Sequence, residues 1–314
     1  MNIPFEYILS LTTAAVVVLA TVPLWKRFCI AVRLVDAPGE RKVHREVIPL
    51  VGGLAVLTGI LVAGALVLGG SSPIRALVQE QLSLWITIPA GAVMMTLLGV
   101  LDDRHVLRPG PKFLLQAAVA VAIAAAGLRV TLFVANPVFQ YAATVLWIVT
   151  VVNALNFMDN MNGLCAGLGV LAAATFGAAA NQHGQHVEAI FSLIVCGALI
   201  GFLPYNYPQA RVFLGDAGSH LVGYCLAVAA ILPSFYTAQD PKPLAVLKPL
   251  LILAVPLLDM AWMVIIRTKA GKPFYVGDTN HLSHRLVRRG LNPAGAVALI
   301  WVIAACASVL ALLL

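Results

Sequence analysis

Acidic and amide side chains recur at several places where an apolar stretch of the chain gives way to a short polar segment. At the first, two adjacent carboxylates, Asp102 and Asp103, end an apolar stretch, and Lys112 follows them. Oxygen ligands from one or two carboxylates, completed by substrate phosphates, are how proteins usually hold Mg²⁺, and a lysine is a point charge suited to a phosphate. Taken alone, the pair is also consistent with a solvated helix end.

A second polar cluster closes another apolar stretch. Asn153, Asn156 and Asp159 recur at every third position, so neighbouring members of the series lie close together on a helix. Asn160 and Asn162 extend this cluster. Four amides and one acid at the end of an apolar helix favour a binding site, and the alternative is hydrogen bonding between membrane helices.

A third acid stands alone in the segment Phe213-Leu-Gly-Asp216-Ala-Gly-Ser219, which precedes an apolar stretch. The glycines permit tight turns and close backbone approach. The start of the following helix offers free N–H groups and a partial positive charge, both favourable to phosphate. The alternative is that Asp216 simply caps its own helix.

Two basic segments complete the set of polar candidates. One carries Arg41 and His44, and a later one carries His281, His284 and Arg285 beside aromatic residues. Such segments suit a diphosphate and a base, or they are ordinary charged loops. Two histidines three residues apart could also bind zinc, but no further cysteine or acid at suitable spacing supports a zinc site.

The composition decides which elements position these residues. The 314-residue chain is 61% hydrophobic and 11% charged, with a mean hydropathy of +0.94. Soluble domains carry roughly a quarter charged residues, so this chain is an integral membrane protein. Its net charge of +7 reflects loop topology and anionic lipid headgroups rather than nucleic acid.

We predict an all-α protein of about ten transmembrane helices, forming a single domain over residues 1–314. A span needs about 20 apolar residues. The predicted spans are 5–25, 50–69, 83–101, 113–134, 137–157, 164–180, 187–204, 218–236, 244–266 and 293–314. With both termini outside, every Lys and Arg except Arg75, Arg129, Lys242 and Lys248 falls on the inner side. Because basic residues concentrate in cytoplasmic loops, this asymmetry places the polar clusters on the cytoplasmic face.

The topology thus gathers four carboxylates, those of Asp102, Asp103, Asp159 and Asp216, at the ends of four spans on one face. Such carboxylates repel one another unless a cation bridges some of them. With basic residues around them, they suit Mg²⁺ and phosphates, and the reaction class is phosphoryl transfer at a membrane surface. Asp259, inside the ninth span, is expected to have a structural role by pairing with Arg267 or with another span.

The chain resembles the polyprenyl-phosphate N-acetylhexosamine-1-phosphate transferase family over residues 36–290. Five motifs match in order: Arg41-Lys-x-His44 with Ile-Pro-x-Val-Gly-Gly, Asp102-Asp103 with Pro-x-x-Lys112-Phe-x-x-Gln116, Asn153-Ala-x-Asn156-x-x-Asp159, Phe213-Leu-Gly-Asp216-Ala-Gly-Ser219, and His281-x-x-His284. The resemblance implies transfer of a sugar 1-phosphate, most simply N-acetylglucosamine 1-phosphate, from a UDP-sugar to undecaprenyl phosphate. It further implies Mg²⁺ (or Mn²⁺) as cofactor, a bacterial cytoplasmic membrane location, and allows a homodimer.

The resemblance also assigns expected roles. Asp216 is the first candidate for direct metal contact, and Asp102, Asp103 and Asp159 shape the metal and acceptor-phosphate region, with Lys112 on phosphate. The residues expected to hold substrate are Arg41, His44, Asn153, Asn156, Asn162, His281, His284 and Arg285.

Two positions depart from the family pattern. Many members have an acid where this chain has Asn162, and adjacent histidines where it has Ser283-His284. The segment around His284 leans toward a hexosamine without a peptide, while transfer of phospho-N-acetylmuramoyl-pentapeptide stays an alternative. A polytopic transporter of an anionic metabolite and a catalytically inactive scaffold are the alternatives from other classes. The transporter reading predicts internal repeats and polar residues at mid-membrane depth, and the sequence offers little of either.

Overall fold

The structure, a computed structural model, describes residues 3–36, 47–235, 243–273, 275 and 278–314. Two predicted substrate contacts, Arg41 and His44, lie outside the described residues. The helices are α1 Ile3–Ala31, α2 Gly52–Gly70, α3 Ser72–Glu80, α4 Leu82–His105, α5 Pro109–Ala125, α6 Pro137–Met158, α7 Leu164–Gln182, α8 His186–Asn206, α9 Gly215–Ile231, α10 Lys248–Ile252, α11 Ala254–Lys269, α12 Leu282–Arg288 and α13 Pro293–Leu313. A 3₁₀ turn, Pro243–Leu247, precedes α10, and β1 (Val35–Asp36) pairs antiparallel with β2 (Ile48–Pro49).

The prediction of an all-α membrane protein is confirmed, and each predicted span contains a helix. Within the described part of the chain, seven helices are long and apolar enough to cross a membrane. These seven are α1, α2, α4, α6, α7, α8 and α13. The helix α5, with 17 residues, is shorter. The number of crossings therefore stays a prediction, as does the orientation of the termini.

Three local predictions were wrong. The fourth span was expected to run to residue 134, but α5 ends at Ala125 and Gly127 follows with a positive φ of 109°. The ninth was expected to be one helix, but α10 and α11 meet at an angle of 72°. Pro256, in the first turn of α11, lacks the N–H that would continue the helix from α10. The segment after α2, expected to be a loop, contains α3.

Helix α9 lies at the centre of the bundle. It packs against α4 and α6 most extensively and also against α2, α7 and α8. Nearly every side chain from Gly215 to Ala230 is buried, as expected for a helix that is apolar on all sides. At Gly99 of α4, a Cβ atom would lie 2.3 Å from the backbone of Ala217, so a glycine is needed for α4 and α9 to approach this closely.

The start of α9 is tied to the start of α2 by backbone hydrogen bonds. Phe213 N–H donates to the Pro49 carbonyl at 3.0 Å, and the Phe213 carbonyl accepts from Val51 and Gly52 at 3.2 and 3.0 Å. The Ile-Pro-x-Val-Gly-Gly and Phe-Leu-Gly-Asp motifs, far apart in sequence, therefore form one support beneath the polar end of the bundle.

Candidate active site

The adjacent carboxylates at the end of α4 point to different partners. Asp102 is 6% exposed, and its Oδ2 lies 2.6 Å from Lys112 Nζ in the first turn of α5. Its Oδ1 accepts a hydrogen bond from Leu107 N–H at 2.7 Å, within the turn that joins the two helices. Asp102 thus closes the α4–α5 turn and holds the lysine side chain in place.

Asp103 caps the N-terminus of α9. Its Oδ1 accepts from Asp216 N–H at 2.8 Å and its Oδ2 from Ala217 N–H at 3.1 Å. The backbone at Gly215 has φ +73°, and a Cβ atom there would lie 2.8 Å from Asp103 Oδ2. Only glycine is favoured in this conformation and at this distance. The backbone N–H groups of Asp216 and Ala217, at the helix start considered above for phosphate binding, therefore already donate to Asp103. Asp216 does not cap its own helix.

The Asp216 side chain is held by α6 and faces Lys112. Its Oδ1 accepts from Asn156 Nδ2 at 2.5 Å, and Asn156 Nδ2 also donates to Ser219 Oγ at 2.9 Å. Its Oδ2 lies 3.8 Å from Lys112 Nζ, and the carboxylate is 35% exposed. Lys112 thus stands between Asp102 and Asp216, and Asp216 keeps an accessible oxygen.

Asp159 follows the end of α6 and lies near the carboxylates of Asp216 and Asp103. Burial, then the negative charges of Asp216 and Asp103, raises the pKa of Asp159 to about 8, although a backbone hydrogen bond from Gly215 acts in the opposite direction. Its charged form is therefore disfavoured unless a cation approaches.

Asn153, one turn before Asn156, contacts α5 instead of the carboxylates. Its Nδ2 donates to Gln116 Oε1 at 2.7 Å and to the Val149 carbonyl at 2.7 Å. Gln116 is fully buried. This pair joins α5 to α6 beside the carboxylates. From the sequence alone, Gln116 has no role beyond its place in the Lys112 motif.

The histidine segment forms a separate wall of the site. His281 is buried, and its Nδ1 lies 2.6 Å from Asp259 Oδ2 on α11. Arg267, the expected partner of Asp259, instead contacts Asp278 at 3.1 Å. Of the two kinds of partner suggested for Asp259, Arg267 is therefore not the one that the structure shows.

The two remaining predicted residues of this wall lie on α12. Burial, followed by the charges of His281 and Arg288, lowers the pKa of His284, so its neutral form is favoured. The guanidinium of Arg285 lies 5.1 Å from the centre of the Trp262 ring, a cation–π contact.

The cluster of four carboxylates suits a Mg²⁺ ion whose remaining ligands come from the substrate. In the described ranges, no three acidic, histidine or cysteine side chains already converge as a metal site. Both oxygens of Asp103 accept backbone hydrogen bonds, and both oxygens of Asp102 are engaged as well. Asp216 and Asp159 are therefore the side chains best able to bind a cation. One or two carboxylates with substrate phosphates are the usual Mg²⁺ ligands.

Comparisons with known proteins show the family of this chain. The profile described as glycosyl transferase family 4 matches residues 85–234. A Bacillus subtilis protein named a probable undecaprenyl-phosphate N-acetylglucosaminyl 1-phosphate transferase is 34% identical across 100% of this chain and 85% of its own length. A decaprenyl-phosphate N-acetylglucosaminephosphotransferase of Mycobacterium tuberculosis is 33% identical across 94% of this chain and 78% of its own. This chain belongs to the polyprenyl-phosphate N-acetylhexosamine-1-phosphate transferase family. An Escherichia coli undecaprenyl-phosphate alpha-N-acetylglucosaminyl 1-phosphate transferase is 29% identical across 87% of this chain and 74% of its own.

The two residues that depart from the transferase family pattern, Asn162 and Ser283, each make a hydrogen bond to a neighbouring loop. Asn162 Nδ2 donates to the Pro208 carbonyl at 3.4 Å, so this amide faces the loop after α8. Ser283 is buried, and its Oγ donates to Asn160 Oδ1 at 2.6 Å, which ties α12 to the loop after α6. In this transferase, Ser283 therefore joins two parts of the site wall.

Proposed function

We propose that this protein transfers N-acetylglucosamine 1-phosphate from a UDP-sugar to undecaprenyl phosphate. The products are the lipid diphosphate sugar and UMP, and the reaction is the first membrane step of a cell-envelope glycan. Both relatives that match along nearly the whole chain are named for N-acetylglucosamine, and the Bacillus subtilis relative is named for undecaprenyl phosphate. The observation that carries the proposal is the position of Lys112, 2.6 Å from Asp102 and 3.8 Å from the accessible Asp216.

Asp159 and Asp216 are the residues we propose to hold Mg²⁺, for which Mn²⁺ can substitute. When bound, the ion supplies positive charge that neutralises the diphosphate. Its charge also favours the ionised form of Asp159, whose pKa is otherwise about 8. Asn156 orients the Asp216 carboxylate, and Asp103 fixes the backbone that carries it.

Lys112 is proposed to bind phosphate and to align the two substrates. A phosphate monoester has a second pKa near 6, so the acceptor is already largely dianionic at pH 7 and needs no strong general base. We therefore propose direct in-line attack by the lipid phosphate on the phosphorus that bears the sugar. A covalent route through Asp102 or Asp103 is disfavoured because the oxygens of both are engaged in hydrogen bonds or an ion pair.

The remaining features of the proposal concern placement. The excess of basic residues on one side supports a cytoplasmic active site, termini on the outer face and a bacterial inner-membrane location. The lipid substrate then reaches the ends of α4, α5, α6 and α9 from the bilayer, and the nucleotide arrives from the cytoplasm. The proposed assembly is a homodimer, which is tested by measuring its mass by light scattering in detergent.

The proposal is tested with purified protein in detergent, Mg²⁺, undecaprenyl phosphate and a panel of UDP-sugars, with UMP release as the readout. We expect release with UDP-N-acetylglucosamine, none without the lipid, and a loss of at least about a hundredfold in Asp216→Asn. The matched control is Glu80→Gln, which removes an exposed acid on α3 and is expected to stay active. Absence of UMP release with every sugar would overturn the proposal, and wild-type activity in Asp216→Asn would remove this residue from the site.

A further inference from the structure

A buried pair joins α11 to the start of α12. Asp259 is 5% exposed and His281 is 6% exposed, and Asp259 Oδ2 lies 2.6 Å from His281 Nδ1. Asp259 Oδ1 accepts from Leu282 N–H at 2.7 Å. Because each carboxylate oxygen has its own partner, one side chain fixes both the imidazole ring and the backbone at the start of the short helix.

The pair decides which ring nitrogen of His281 is available to a ligand. A carboxylate beside Nδ1 favours a proton on that nitrogen, so Nε2 is the atom left to face a ligand. A phosphate oxygen only accepts hydrogen bonds, so the form that binds it is the imidazolium, which donates Nδ1–H to Asp259 and Nε2–H to the phosphate. The His281 Nε2 makes no hydrogen bond to a residue in the described part of the chain. Phe157 of α6 packs edge-on against the ring, with centroids 5.7 Å apart and an interplanar angle of 82°. The ring therefore has one orientation, with Nδ1 used and Nε2 unused.

The held ring belongs to the same end of the molecule as the carboxylates. Phe157 follows Asn156, which holds Asp216, and precedes Asp159 by two positions. A second link from α12 to this region is the 2.6 Å hydrogen bond from Ser283 Oγ to Asn160 Oδ1. Helix α12, with seven residues, lies outside the membrane-spanning helices. A polar segment of this kind suits a water-soluble ligand such as the sugar nucleotide.

We infer that Asp259 is a positioning residue that holds His281 so that its Nε2–H donates to the diphosphate of the water-soluble sugar nucleotide. This inference rests on the proposed transferase function and adds Asp259, which the sequence had placed in a purely structural role. Asp259 does not contact substrate itself, and its effect passes through the orientation of one ring.

The chemistry of an amide at this position makes the inference testable. Asn in place of Asp259 has one acceptor oxygen, whereas its two partners both present N–H groups. If the oxygen stays on Leu282, the amide N–H donates to an unprotonated His281 Nδ1, so the ring is neutral and lacks the positive charge that attracts the diphosphate. If the amide turns over, its N–H faces that of Leu282. The variant therefore loses the positive charge of the ring in the first orientation and the bond from Leu282 N–H in the second.

The experiment compares wild type with Asp259→Asn, His281→Gln and the double variant, with Glu80→Gln as the exposed-acid control. Steady-state UMP release is measured while each substrate is varied separately. We expect each single variant to raise KM for UDP-N-acetylglucosamine about tenfold, with KM for undecaprenyl phosphate unchanged. The double variant is expected to be no worse than the worse single variant, because both changes act through one ring.

The double variant and thermal unfolding keep the test decisive if a single variant folds poorly. An Asn–Gln pair can form an amide hydrogen bond, so we expect the double variant to unfold near the wild-type temperature and still show the raised nucleotide KM. A normal nucleotide KM in well-folded variants would overturn the positioning role. Equal losses against both substrates, together with a lower unfolding temperature, would also overturn it in favour of a purely structural role. No UMP release by the wild type would instead defeat the proposed function.

Discussion

Asp103 accepts the backbone N–H of Asp216 at 2.8 Å, so one acid of the site caps the helix that carries another. The two residues are 113 positions apart in sequence. Because the second oxygen of Asp103 binds the next N–H, this single side chain fixes the first turn of the central helix and hence the direction of the Asp216 carboxylate. The arrangement couples helix packing directly to site geometry.

The Asp103→Asn variant is expected to lose both activity and stability. The single oxygen of the amide can accept from only one of the two N–H groups, so half of the cap is lost. The amide NH₂ then faces the other N–H group, and both are donors. Loss of a helix cap costs about 1 kcal/mol. We predict a lower unfolding temperature in detergent together with strongly reduced UMP release. Unchanged values of both would contradict the assignment of Asp103 as the cap of α9.

Asp159 makes stability depend on pH. Its pKa is raised from 3.8 to about 8, so between these values the folded state holds a proton that the unfolded state has lost. Stability from this residue therefore falls as pH rises through that window and levels off above it. We predict that Asp159→Asn unfolds with a flatter pH dependence than wild type, measured by thermal unfolding across this range. Added Mg²⁺ is expected to reduce the difference, and identical pH profiles for the two proteins would contradict the shift.

Asn162→Asp is expected to retain activity near the wild-type level. The amide makes one long hydrogen bond, 3.4 Å to the Pro208 carbonyl, and faces the loop after α8. Its replacement leaves the contacts of Lys112 and Asp216 intact. The measurement is UMP release at saturating substrates, and complete loss would mean that position 162 takes part in the reaction.

His220→Leu is expected to raise thermal stability. His220 is fully buried in α9, and neither ring nitrogen has a hydrogen-bond partner among the residues that the structure describes. Replacement of an unpaired buried polar group by an apolar one of similar size removes a desolvation cost of about 1–3 kcal/mol. We expect a higher unfolding temperature, with Val222→Ala, a neighbouring truncation on α9, unfolding at a lower one. A lower unfolding temperature for His220→Leu would show that the imidazole contributes favourably to the folded state.

The sequence predicted the helices and the common end of the bundle because both follow from hydropathy and charge. The apolar stretches are long enough to identify spans, and the end of one element and the start of the next bring Asp102, Lys112, Asp159 and Asp216 to the same side. The early end of α5 was missed because the residues after Ala125 remain apolar, so hydropathy could not mark it. The break before α11 had a signal in Pro256, which hydropathy ignores.

The pairing of individual oxygens could not be predicted. The predicted topology placed the carboxylates on one face. It could not show that both oxygens of Asp103 accept backbone hydrogen bonds while Asp216 keeps an accessible oxygen. Asp259 was expected to pair with Arg267 or with another span because an acid near the cytoplasmic end of the ninth span needs a partner. The structure instead joins each to a residue beyond the end of α11, because the chain turns back there and brings Asp278 and His281 against the helix.

The fate of the phosphorus atom tests the central claim most directly. UDP-N-acetylglucosamine labelled in the phosphate that bears the sugar is incubated with the purified protein, Mg²⁺ and undecaprenyl phosphate, and the products are separated into lipid and aqueous fractions. Transfer of sugar 1-phosphate predicts that the label moves into the lipid fraction while unlabelled UMP appears in water, and that Asp216→Asn prevents both. Label that stays in water as UDP, with sugar alone on the lipid, would contradict the account.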